Sequence, residues 1–206
     1  PQRTVLAATA AWDALDGRFA SPDGALDLGV VQFRCASRLT TPSHEIAAYA
    51  AETFPAGRPV LDGALALTRR IWSDFRFDAT ATDVSTPIEQ VFLARRGVCQ
   101  DFAHLSLACL RALRGPARYV SGYILPRPPP GQPKLQGTDA SHAWIAVWAP
   151  ETGWVGFDPT NGLVVADEHI TIAHGRDYDD VSPISGVLIG GGEHTVTVGV
   201  DVVPVA

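Results

Sequence analysis

From Phe102 to Leu113, apolar side chains surround a helix on nearly every side: Phe102, Ala103, Leu105, Leu107, Ala108, Cys109, Leu110 and Leu113. A helix without a polar face has to be wrapped by other elements, so this one belongs in the middle of a domain. The texture changes after Gly115-Pro116. Strand-like runs follow at Ala117–Leu125, Ser141–Ala149, Trp154–Asp158, His169–Ala173 and Glu193–Val203. Helices first and strands afterwards predict an α+β domain with an antiparallel sheet.

Upstream, the punctuation divides the helical half. Thr41 can cap a helix with Pro42 at its first position, and Ile46, Ala47, Tyr49 and Ala50 recur at helical spacing up to about Phe54-Pro55. Leu61, Ala64, Leu65, Leu67, Thr68, Ile71 and Trp72 predict a longer helix with one apolar face, ending before the strand-like Phe75-Arg76-Phe77. Thr86-Pro87-Ile88-Glu89 reads as a capping box opening a short helix that Gly97 can close. Ahead of Thr41 the signals are weak: an Ala-rich stretch, a turn at Ser21-Pro22-Asp23-Gly24, and Val30-Val31-Gln32-Phe33. The expected organisation is an N-terminal segment with one helix, residues 1–58, and a core, residues 59–206. Between two strands, Pro126 to Asp139 is too rich in Pro and Gly for regular structure, so a long loop should end just before His142.

With 206 residues, 46% apolar and 18% charged, the chain can bury one substantial core. A formal charge of −6 without a Lys/Arg run argues against nucleic acid or membrane surfaces as partners. No apolar stretch approaches the roughly 20 residues that span a bilayer, and the start lacks the order of a secretion signal, so a cytoplasmic protein is expected. The chain begins Pro1-Gln2-Arg3 and contains no Met, which leads us to expect a fragment or a processed product. Cys35, Cys99 and Cys109 show no metal-ribbon clustering. Cys99 and Cys109 on one helix would stand roughly 15 Å apart, too far for a disulfide, so free thiols are expected.

Cys99 falls at the N-terminus of the buried helix, where free N–H groups and the helix dipole favour a thiolate. The N–H groups of Cys99 and Gln100 could donate to an oxyanion, and Gln100 could line the cleft. His142 opens a strand on which it shares a face with Trp144, Ala146 and Trp148; Trp144, Trp148 and Trp154 read as core or sheet-face aromatics, though Trp144 could also border a substrate channel. If Ala149 pairs with Gly153, Trp144 opposes Asp158 and His142 lies diagonal to it on the same face. The separation of sixteen residues is even, which this requires. Cys99, His142 and Asp158 thus fit nucleophile, base and orienting carboxylate. The same three residues are possible zinc ligands, but their spacing favours a triad, and no metal or cofactor is expected. Asp158 before Pro159 could equally start a turn. His104, five residues past Cys99, faces away from it and suits a core hydrogen bond. Cys35 and Cys109 are read as structural.

The blocks Arg96-Gly97-Val98-Cys99-Gln100-Asp101-Phe102-Ala103, Pro116-Ala117-Arg118-Tyr119-Val120-Ser121-Gly122-Tyr123, Ala140-Ser141-His142-Ala143-Trp144 and Trp154-Val155-Gly156-Phe157-Asp158-Pro159-Thr160-Asn161 resemble bacterial transglutaminase-like proteins. The likeness extends to Gly175-Arg176-Asp177-Tyr178-Asp179-Asp180-Val181-Ser182-Pro183. It implies a papain-like α+β fold in which the cysteine begins a central helix packed on an antiparallel sheet, with a Cys-His-Asp triad. The superfamily includes cross-linking enzymes, proteases, amidases and members without activity. The expected function is cysteine-dependent acyl transfer on a peptide or protein amide, hydrolysis favoured over cross-linking, with a catalytically silent binding module as the alternative. No Ca²⁺ loop is evident, so calcium dependence is not carried over. Members of this bacterial group usually carry a β-rich N-terminal region, most of which this chain is expected to lack.

Overall fold

A computed structural model of the chain describes residues 6–19, 27–125, 141–187, 189–191, 199–200 and 202. The expected loop over 126–139 and most of the expected strand over 193–203 lie outside the described residues.

Helix α1, His44–Ala51, starts two residues later than the Thr41 reading requires. Ser43 is the cap: its hydroxyl accepts from Ile46 N, while Thr41 donates to Ser37 O. Helix α2, Val60–Asp74, buries Leu61, Ala64, Leu65, Leu67, Thr68 and Ile71 as its spacing predicts. Trp72 departs from that face: it is exposed and lies over Gly162. A short strand follows, β1 at Arg76–Phe77.

Helix α3, Ile88–Ala94, forms without the expected capping box, because the Thr86 hydroxyl bonds with Asp83 instead. Nor does Gly97 close it. Arg95 takes the left-handed conformation (φ 53°), and its guanidinium stacks over Phe92, Phe75 and Tyr49. Gly97 lies in β2, Arg96–Gly97, which pairs in parallel with β1.

Helix α4, Cys99–Ala112, is enclosed by α1, α2 and α3 and by the sheet, which is why it carries no polar face. Leu105, Leu107, Ala108 and Cys109 are fully buried there. The sheet comprises β3 (Ala117–Ile124), β4 (His142–Ala149), β5 (Gly153–Asp158), β6 (Leu163–Val164) and β7 (His169–Gly175). Its order is β6-β5-β4-β3-β7, with every pair antiparallel. One face offers Ala143, Ile145, Val147 and Ala149 to the helices; the other carries Val120, Trp144 and Ala146, packed with Trp154 and Val165. This is the α+β architecture expected from the order of helices and strands.

The register of β4 against β5 is the one parity predicts: Ala149 opposes Gly153, Trp148 opposes Trp154 and Ile145 opposes Phe157. Between β3 and β7 the pairing slips at Ser121/Gly122. Gly122 is required there, since a Cβ would stand 2.0 Å from the Ile170 carbonyl oxygen and 2.6 Å from the Trp144 ring. Ahead of residue 59, Leu15, Phe19, Val30 and Ile46 are buried in the same core as Leu105, and Phe19 also meets Trp148 on the sheet.

Candidate active site

The site is assembled where the start of α4 meets the ends of β4 and β5. Asp101 fixes the helix start. Its Oδ2 accepts from Val98 N at 2.8 Å and from the Thr82 hydroxyl at 2.6 Å, so one carboxylate caps the helix and ties it to the loop before α3. Burial raises the Asp101 pKa against those two bonds. Gly97 makes room: a Cβ there would lie 2.6 Å from the same Oδ2. Cys99 is half-buried in the first turn. The Gln100 carboxamide reaches Val84 O at 3.4 Å, so the side chain braces this loop.

His142, at the first position of β4, and Asp158, at the last of β5, meet directly. His142 Nε2 is 2.9 Å from Asp158 Oδ2, and both side chains are completely buried. With Nε2 taken, Nδ1 is the ring nitrogen left for Cys99; it is buried and has no other hydrogen-bond partner among the described residues. Burial disfavours the imidazolium, but the bond to Asp158 and the neighbouring Cys99 outweigh it and raise the His142 pKa to about 9. Burial likewise opposes the Asp158 anion, yet bonds from His142 and His169 hold its carboxyl well below the usual carboxylate range.

Asp158 makes the contacts of a turn and also meets His142. Oδ1 accepts from Thr160 N at 2.9 Å and Asn161 N at 3.2 Å, which is the turn; Oδ2 faces His142, which is the orienting contact. Asn161 Nδ2 adds a bond to Oδ2 at 2.7 Å. Trp144 takes the core place favoured for it and does not border a channel. The ring is 1% exposed and packs beneath the imidazoles, 6.0 Å from His142 and edge-on to His169 at 5.2 Å. Ser141, beside His142, lines an open cavity of about 380 Å³ together with Ser121, Tyr123, Ile172 and Tyr178.

The sequence reading missed His169, which bonds Asp158 Oδ2 through Nε2 at 3.2 Å. Its place in the chain gave no signal, since the contact arises only once β7 docks beside β3. His142, Asp158 and His169 present ligand-type atoms within 4.8 Å of one another, a set without Cys99. Oδ2 is also within hydrogen-bond reach of Asn161 Nδ2, an N–H donor, at 2.7 Å. His104 stands apart. It is buried, accepts from Tyr178 N at 3.2 Å and stacks on Tyr119, and burial lowers its pKa to about 4. Among the described residues all three cysteines are free; Cys35 is exposed and Cys109 buried, and burial pushes the Cys109 thiol up to about 12.

A family model described as the transglutaminase-like superfamily matches residues 47–159, more than half of the chain. The chain belongs to the transglutaminase-like superfamily. Transglutaminase-like relatives bear this out at different depths. An uncharacterized protein of Mycobacterium tuberculosis, Rv2569c, is 46% identical over 161 residues, covering 76% of this chain and 51% of the relative. The chain thus spans about half the length of that relative. A protein-glutamine gamma-glutamyltransferase of Pseudomonas aeruginosa is 40% identical over 81 residues, covering 39% of this chain and 12% of that one. Among solved structures, a Cytophaga hutchinsonii protein described as a candidate cysteine protease superposes with a TM-score of 0.64 at 31% identity, covering 80% of this chain and 53% of that one. No helix among the described residues is long and apolar enough to cross a membrane.

Proposed function

We propose that this chain is a cysteine-dependent acyl-transfer enzyme acting on peptide or protein amides, with hydrolysis favoured over cross-linking. The observation that carries the reading is the buried 2.9 Å bond between His142 and Asp158, which leaves the other imidazole nitrogen for Cys99 at a helix N-terminus. The fold shared with a candidate cysteine protease over 80% of the chain supports hydrolysis.

In this reaction the Cys99 thiolate attacks the amide carbon, forming a C–S bond while the carbonyl electron pair moves to oxygen. The first-turn N–H groups of α4 receive that oxyanion. Collapse breaks the C–N bond, and the His142 imidazolium gives its proton to the departing amine. The thioester then meets water. Neutral His142 takes a proton from the water as the oxygen attacks; collapse releases the carboxylic acid and regenerates the thiolate and imidazolium. An amine acceptor in place of water would yield a new amide by the same steps. Asp158 stabilises the imidazolium and fixes its tautomer throughout.

The test is the pH dependence of iodoacetamide labelling at each cysteine, read by mass spectrometry for wild type and His142→Ala. Cys99 is expected to react quickly below neutral pH and to lose that reactivity in the variant, with exposed Cys35 as the internal reference. If Cys99 follows Cys35 regardless of His142, the catalytic reading fails and a silent binding module replaces it. Full activity retained by Cys99→Ala on any amide substrate would overturn it as well.

A further inference from the structure

The chemistry above uses one of the three donors on Asp158 Oδ2. Asn161 belongs to the local turn that Asp158 begins, and its bond comes with that turn. His169 is different, since it arrives from β7, on the far side of β3 in the sheet order. Its side chain is 1% exposed, its ring is edge-on to Trp144, and it stands 6.4 Å from the His142 ring.

His169 Nδ1 is buried without a partner, so the bond from Nε2 to Asp158 is the one hydrogen bond its ring makes among the described residues. Leaving a buried nitrogen unpaired is destabilising. An apolar ring would fill the same space against Trp144 without that cost. The distinctive property of histidine at this position is therefore the N–H that reaches Asp158. The turn itself bonds both carboxylate oxygens, two contacts on Oδ1 and one on Oδ2, so it moves with the chain around Asp158. A donor from a separate strand ties Oδ2 to the sheet instead.

Resting on the triad reading, we infer that His169 is a positioning residue: its Nε2–H bond to Oδ2 locks the Asp158 carboxylate in the orientation that keeps His142 turned toward Cys99. The titratable groups facing His169 are Asp158 on β5 and His142 on β4, with Cys99 of α4 beyond His142. The same bond requires the Nε2–H tautomer, so His169 acts as a fixed donor and moves no proton in the reaction.

Two amide substitutions separate this role from packing. Gln at 169 can place an N–H donor where Nε2 stands; Asn, one carbon shorter, cannot. The three cysteines report independently on iodoacetamide labelling between pH 5 and 9: Cys99 on the site, exposed Cys35 on intrinsic reactivity, buried Cys109 on unfolding. His169→Gln is expected to keep the wild-type Cys99 profile. His169→Asn should label Cys99 at least about tenfold more slowly at pH 6, with Cys35 and Cys109 unchanged, because a small misplacement of a catalytic group is amplified in rate. Wild-type Cys99 reactivity persisting in the Asn variant would overturn the role of His169 and leave the triad standing. Cys109 becoming reactive in step with a loss at Cys99 would show that His169 only holds the fold, and would also overturn it. Wild-type Cys99 behaving like Cys35 would overturn the triad reading and this inference together.

Discussion

His142 and His104 are both buried imidazoles, and their proton affinities lie on opposite sides of the ordinary value. His142 holds its proton to about pH 9, whereas His104 gives it up near pH 4. Burial pushes both the same way, toward the neutral ring. The partner decides the outcome: His142 meets a carboxylate oxygen, while the nearest partner of His104 is the Tyr178 N–H, which needs a lone pair to donate into. A buried histidine is therefore not by itself an acid–base group. What makes one is a charge of opposite sign within hydrogen-bond reach.

The substitution that should break this contrast most sharply is Asp158→Asn. Without the carboxylate, burial dominates at His142 too, and its pKa should fall from about 9 to below the free value near 6.5, as read by NMR titration of the ring. Amide hydrolysis should drop about a thousandfold or more, because the imidazolium loses its stabilising anion and its fixed tautomer. In the wild type the ion pair contributes stability in full below pH 6.5, which fades as pH rises toward 9. Asp158→Asn should remove that alkaline slope.

His104 gives the opposite slope. Its folded pKa of about 4 lies below the unfolded value near 6.5, so the unfolded chain takes up the proton first as pH falls. That stability is present above pH 6.5 and lost toward pH 4. His104→Gln can still accept from Tyr178 N and should flatten the loss, by on the order of 3 kcal/mol at pH 4 in urea unfolding. A wild-type slope retained in the variant would mean another group governs acid sensitivity. The smallest effect is expected for Asn161→Ala, which removes the 2.7 Å bond to Oδ2 but leaves the His142 and His169 contacts. Turnover should fall about tenfold or less, within the roughly 0.5–1.5 kcal/mol of an ordinary hydrogen bond, with the pH optimum unmoved.

Much of the site was legible in the sequence because it rests on local periodicity. The start of α4 at Cys99 follows from the change of pattern after Gly97, and the meeting of His142 with Asp158 follows from an even separation across one hairpin. Local readings failed where another contact took the group or the place. Thr86 could have capped α3, but Asp83 took its hydroxyl. Gly97 could have closed the same helix, but Arg95 holds the left-handed position with its guanidinium stacked on Phe92, Phe75 and Tyr49. Trp144 stood on the correct face for a channel, yet the ring is buried beside Gly122 and His169.

By itself, the sequence determined the order of helices and strands, the buried central helix and the residues able to form a Cys-His-Asp constellation, because each is written within a turn of helix or a single hairpin. Only the tertiary structure decided that Asp158 divides its two oxygens between a turn and a histidine, and that His169 joins it from β7. The His169 contact depends on β7 docking against β3, where the pairing slips at Gly122, and no sequence period encodes which strand a distant segment will choose.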